Sequence, residues 1–296
     1  MRVTSNYIHD VLNQLTQRAN VELSDAMIRM TSEKRILRPS DDPVGAVRLA
    51  QLSQSNTALE QYHADMPNIM RRLKLAESSL TILSSAFVEA RSLLVKAADG
   101  TPEKKDQMET ARELVNIRDQ MLQFSLAHDS DGHYLFSGTA VTTAPIAFKP
   151  SAAAGTRYAF VANTEAQLAV IGDGVTEIVS DNLKGMETVL NKLDVAIEQL
   201  ASGHVITEKD EVFEAVERTD ALVTSKIGRL GNAQNTLTMF DNLHVESQIA
   251  ITQAAQDVGK IDRNEVYDTY MSYRTALEAT QKVYAHVSQL SLFNIL

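Results

Sequence analysis

Apolar or small residues recur every three or four positions between Leu59 and Ala97: Leu59, Tyr62, Met66, Ile69, Leu73, Ala76, Leu80, Leu83, Phe87, Ala90, Leu94 and Ala97. Such unbroken spacing draws a narrow apolar seam along one side of an α-helix, the pattern that packs lengthwise on other helices. No glycine lies between Ala46 and Asp99. At about 1.5 Å per residue the seam is about 58 Å long, so it needs partners of similar length. Pro67 sits beside the seam and predicts a lost hydrogen bond and a bend near Asp65–Met66.

Both ends of the chain carry seams of the same kind. Near the start they fall at Ile8, Leu12, Leu15, Ala19, Leu23, Ala26 and Met30. Near the end they fall at Val266, Tyr270, Tyr273, Leu277, Thr280, Tyr284 and Val287, followed by Ser291-Leu292-Phe293-Asn294-Ile295-Leu296. A lone amphipathic helix is marginal in water. With little internal surface to cover them, residues 1–40 and 261–296 are expected to be mobile in the monomer and to fold on assembly.

Between the ends the pattern changes twice. Ser40-Asp41-Asp42-Pro43 is a helix start: Asp42 caps, Asp41 complements the helix dipole, and Pro43 opens the first turn. The long helix stops at Asp99-Gly100-Thr101-Pro102, and a helix from about Glu103 to Asp129, carrying Leu114, Ile117, Met121 and Phe124, returns antiparallel. From His133 to about Asp181, short apolar runs alternate with turn residues: Tyr134–Phe136, Ile146–Phe148, Tyr158–Val161, Leu168–Ile171 and Ile178–Val179. These predict a small β-rich module, with Gly172-Asp173-Gly174 as a turn. Helical spacing resumes at Met186, Leu190, Leu193, Ile197 and Leu200, and again from Thr207 to about Val258. Gly228 and Gly231 are expected to loosen that last helix, and Gln234, Asp241 and His244 break its seam.

The fold class is therefore mainly α with a small inserted β-rich module: long antiparallel rods with the N- and C-terminal helices adjacent. Five segments follow: an N-terminal assembly helix (1–40), a long helical hairpin (41–131), a β-rich outer module (132–182), a helical rod (183–260) and a C-terminal assembly helix (261–296).

Composition removes several functions. A net charge of −10 argues against nucleic acid as a partner. Charge is uneven: residues 1–40 carry six basic and four acidic side chains, and 201–270 carry six basic and twelve acidic, a bias that fits rods meeting side by side, although an acidic solvated face is the commoner reading. There is no cysteine, hence no disulfide or thiolate metal site. No run of eighteen apolar residues predicts membrane insertion, and the N-terminus lacks the apolar core of a cleavable signal.

Catalytic and cofactor chemistry find little support. His128-Asp129-Ser130-Asp131-Gly132-His133 invites a metal, but the bidentate glutamate of a calcium loop is missing, Ala140 standing in its place. A helix stop explains the same residues. The seven histidines (9, 63, 128, 133, 204, 244, 286) are scattered. The expectation is no enzyme, no cofactor and no metal.

Four stretches together resemble the flagellin superfamily: Met1-Arg2-Val3-Thr4; Lys34-Arg35-Ile36 followed by Pro39-Ser40-Asp41-Asp42-Pro43; Gly132-His133-Tyr134-Leu135-Phe136-Ser137-Gly138; and Ser288-Gln289-Leu290-Ser291-Leu292-Phe293. The resemblance covers roughly 1–138 and 255–296. The Gln-Ala-Asn motif and Leu-Leu-Arg ending usual in filament flagellin are absent, and Asp-Asp-Pro replaces Asp-Asp-Ala. These departures are similar to the hook–filament junction members. The resemblance implies terminal helices forming the inner shell of a tubular polymer, with the β module outward. It implies export through the flagellar type III apparatus, an export chaperone on the C-terminal helix, and a position between the first hook-associated protein and flagellin. Head-to-tail contact of one copy with the next builds such an array. The residues expected to form the assembly and chaperone interface are Ile8, Leu12, Leu15, Leu23, Val266, Tyr270, Tyr273, Leu277, Tyr284, Val287, Leu292 and Phe293; Ser40, Asp41, Asp42 and Pro43 form the cap. Filament flagellin and a cytoplasmic coiled-coil adaptor are the alternatives.

Overall fold

The computed structural model describes residues 2–98 and 103–293, with side chains for Tyr7, 10–98 and 103–286. Among the described residues there are six helices: α1 (Arg2–Ser32), α2 (Pro43–Ala98), α3 (Lys104–Ser125), α4 (Met186–Ala201), α5 (Lys209–Gly259) and α6 (Arg263–Phe293). Four short strands lie between α3 and α4: β1 (Ile146–Phe148), β2 (Tyr158–Phe160), β3 (Leu168–Gly172) and β4 (Val175–Ile178). The expected stop at Asp99-Gly100-Thr101-Pro102 lies outside the described residues.

The chain forms two compact units, one of residues 1–58 with 247–296 and one of residues 59–246. Within the second, the predicted seam of α2 is the spine of the core. Met66, Leu73, Ala76, Leu80, Leu83, Phe87, Ala90, Leu94 and Ala97 are all buried, joined by Leu114, Ile117 and Met121 of α3 and by Met186, Leu190, Leu193, Ile197 and Leu200 of α4. Each fully buried leucine contributes roughly 1.5–3 kcal/mol. Helix α2 runs unbroken through Pro67, which is exposed, so one lost backbone bond does not end it.

Side-chain pairs fix the helix directions. Between α2 and α5, His63 meets Asp241 (2.6 Å), Glu77 meets Gln234 (2.6 Å), Ser84 meets Asp220 (2.9 Å) and Arg91 meets Glu217 (3.1 Å). One series rises as the other falls, so the helices are antiparallel. Lys104 lies beside Gly203 while Arg118 Nη1 donates to Asp194 Oδ1 at 2.9 Å, which makes α3 and α4 antiparallel. Lys192 reaches Glu208 at 3.0 Å and also Glu211, closing α4 and α5 as an antiparallel hairpin. Taken together these directions make α3 antiparallel to α2, as its position in the chain predicts. Helix α5 passes through Gly228 and Gly231 without a break, with open space beside both. Two of the polar breaks in its seam face polar partners: Gln234 faces Glu77, and Asp241 faces His63.

The strands make two separate antiparallel pairs, β1 with β2 and β3 with β4. Asp173-Gly174 closes the second, with Gly174 at φ 68°, as its sequence predicts. Tyr134–Phe136 is not a strand. It is a loop, bounded by Gly132 and Gly138 at φ 80° and 63°, that buries Leu135 and Phe136. Nor do the strands have a core of their own: Ile146, Tyr158 and Ile171 belong to the helical core. The Asn191 side chain on α4 acts as a neighbouring strand for β2, accepting from Tyr158 N (3.0 Å) and donating to its carbonyl (2.8 Å).

Two buried carboxylates tie this layer to the helices. Asp194 accepts from Arg118 and Arg157, and Asp181 accepts from Lys226 (2.6 Å) and Arg229. Each buried charge is paired and hydrogen-bonded, which such burial requires.

One expectation needs amendment. A window of α2 reaches a mean hydropathy of 1.2, long and apolar enough by composition to cross a membrane. Leu73, Leu80, Leu83, Phe87 and Leu94 of that helix are buried core residues.

Candidate assembly surface

In the unit of residues 1–58 with 247–296, α1 and α6 pack against each other. They run antiparallel, since Glu33 just after α1 pairs with Arg263 at the start of α6. The terminal helices are thus each other's partner, which corrects the expectation that they lack internal surface.

Periodicity decides which faces meet. Among the described side chains of α1 the buried positions are Leu12, Ala19 and Ala26, seven apart, with Leu23 half-buried. Leu15 and Met30, also assigned to that seam, are 50% and 38% exposed. On α6 the half-buried positions are Val266, Tyr270, Tyr273, Leu277 and Thr280, the predicted stripe, while Tyr284 is exposed. The side chains of Ile8, Val287, Leu292 and Phe293 lie outside the described residues.

This pairing is thin. Among the described residues of α6 none is fully buried. Tyr7, Leu15, Val21, Met27 and Ile28 of α1 and Tyr267, Val283 and Tyr284 of α6 are exposed.

The turn between α1 and α2 anchors this unit. Asp42 caps α2 as predicted, its Oδ1 accepting from Gly45 N at 2.9 Å. Asp41 does something else: its Oδ2 accepts from the Leu37 and Arg38 N–H groups (3.1 and 3.2 Å) and from Arg29, folding the turn rather than serving the dipole. Arg35 joins distant chain, donating to Asp42 Oδ2 (2.8 Å) and to the Val258 carbonyl (3.0 Å), while its N–H donates to the Gly259 carbonyl (2.8 Å). Gly45 sits in a crowded place: a Cβ there would stand 2.5 Å from Asp42 Oδ2 and 2.6 Å from Ile36 Cδ1, and both side-chain ends would have to shift. Sequence reading missed Gly45 and the role of Arg35, whose partners at Val258 and Gly259 lie more than two hundred residues away.

The Leu37 and Arg38 N–H groups, more than nearby arginines, hold Asp41 below the usual carboxylate pKa. The Gly45 N–H and then Arg35 do the same for Asp42. Carboxylates with lowered folded pKa stabilise the turn above their ordinary value of 3.8, and that stability is lost as the pH falls through the lowered values. Amide exchange at Leu37, Arg38 and Gly45 should therefore lose protection below about pH 4 and not at pH 7. Unchanged protection in acid would contradict this role.

The metal candidate is only partly assembled. Ligand atoms of Asp129, Asp131 and His133 lie within 4.8 Å of one another. Asp129 Oδ1 already accepts from the Asp131 and His133 N–H groups (3.0 and 2.9 Å), and Arg71 and Arg72 line the same cavity of about 510 Å³. The His128 ring is edge-on to Tyr134. The cluster reads as a loop held by its own side chains.

Comparison with known proteins agrees with this geometry. Residues 3–141 match the bacterial flagellin N-terminal helical region. Flagellar hook-associated protein 3 of Escherichia coli K12 is 26% identical over 287 residues, 90% of each chain. A solved structure from Vibrio parahaemolyticus, described as a flagellar hook-associated protein, is 25% identical with a TM-score of 0.64, covering 74% of this chain and all of that one. Flagellar hook associated protein-3 from Legionella pneumophila shares the fold at 12% identity, with a TM-score of 0.58 over 71% of this chain and 99% of its own. The chain is thus similar to bacterial flagellin over its N-terminal helical region and resembles flagellar hook-associated protein 3 along nine-tenths of its length.

Proposed function

We propose that the chain is a structural subunit of the bacterial flagellum that polymerises through α1 and α6 and joins the first hook-associated protein to flagellin. A structural role among other flagellar components follows from its relatives. The observation that carries the finer reading is the thin α1–α6 pair, whose outer faces retain apolar side chains. In this reading those faces, Leu15 and Tyr284 among them, are covered by neighbouring subunits. Before delivery the α6 stripe is covered by an export chaperone, and the chain leaves through the type III apparatus. Its role is not catalytic.

Abundance in sheared flagella tests this. A junction protein is present in small amounts, a few rings' worth for each filament. Quantities matching the filament would instead make the chain a flagellin.

A further inference from the structure

His244 breaks the apolar seam of α5, yet its side chain is buried, with 3% of the residue exposed. Its ring lies against Tyr62 of α2 (centroids 5.6 Å apart) and Phe240 one turn earlier (6.1 Å). Nδ1 is buried and has no hydrogen-bond partner. A neutral imidazole fits this place with its proton on Nε2. An imidazolium does not, because it carries N–H on both nitrogens and would bury an unsatisfied donor together with a charge.

Two titratable groups bear on the ring, His63 from α2 and Asp241 from α5. They bond to each other, His63 Nδ1 to Asp241 Oδ1 at 2.6 Å. One oxygen of the carboxylate that would compensate a charged His244 is therefore engaged, and a protonated His63 repels a second positive charge.

We propose that His244 makes the pairing of α2 and α5 around Tyr62–Met66 and Leu237–His244 an acid-releasable joint. The neutral ring completes the seam; the protonated ring leaves it and parts the helices there. Burial, the largest influence, lowers the His244 pKa; Asp241 opposes it and His63 adds to it. The unfolded chain takes up the proton near the ordinary value of 6.5, which the folded seam refuses. The joint is thus fully stable above that value and weakens as the pH falls toward and through the lowered one. This window opens at 6.5, whereas that of Asp41 and Asp42 opens at 3.8, so acid reaches the joint before the turn.

Amide exchange and thermal melting of the full chain at pH 7.5 and in mild acid test the joint, with His244→Phe as the non-titrating comparison. The wild type should lose protection at residues 237–244 on the order of tenfold. Its thermal midpoint should fall about 2–4 °C further than that of the variant. An equal loss in both proteins, or none in the wild type, overturns the proposal. Should His244→Phe fail to fold, His244→Gln gives the same comparison with a smaller neutral side chain. In His63→Gln, Asp241 is free to accept from a charged His244, so the acid response must shrink; a larger response also overturns it.

Discussion

Leu80→Asp should unfold the unit of residues 59–246 or bring it close to unfolding. Leu80 is fully buried at the middle of the α2 seam. Removing a buried leucine typically costs about 2–5 kcal/mol, and a carboxylate in its place adds an unpaired buried charge. A domain has only about 5–15 kcal/mol to lose. Leu80→Met, which keeps volume and polarity, should cost under about 1.5 kcal/mol. Thermal melts of the two variants separate packing from simple intolerance of change. A midpoint unmoved by aspartate would mean that the seam faces water.

Leu277→Asp should leave the same unit folded and abolish assembly. Leu277 is half-buried on the stripe that α6 turns toward α1, and it belongs to the other unit. Helix-in-groove capture and helix-on-helix assembly read the same spaced anchors. One charge in the stripe should therefore weaken chaperone binding and stop filament growth at the hook tip, with flagellin leaking into the medium. The purified variant should melt like the wild type in its larger unit. Normal swimming with full-length filaments would refute the assembly role. A lowered midpoint of the larger unit would show instead that α6 supports the folded monomer.

The parts of this fold legible in the sequence are those set by local periodicity or local capping. The α2 seam from Met66 to Ala97 and the α6 stripe from Val266 to Thr280 follow from helical spacing alone. The Asp42 cap follows from a short run ending in proline. What escaped depends on partners far along the chain. Nothing near Asp181 or Asp194 announces the cations from α3, α5 and the β layer that neutralise them. Nothing near Arg35 points to the carbonyl of Val258. Tyr134–Phe136 has strand composition, yet its flanking positive-φ glycines leave it a loop. Leu15 keeps the period of α1 but falls outside the row facing α6, because a pair of helices covers a narrower stripe than the apolar residues supply. Under the proposed function, that excess apolar surface is what neighbouring subunits cover.

The central claim is that the flagellum needs this chain to carry its filament, and a deletion strain tests it most directly. The account predicts completed hooks without filaments, flagellin released into the medium, and swimming restored by the wild-type chain but not by Leu277→Asp. Full-length filaments on the hooks of the deletion strain would contradict it.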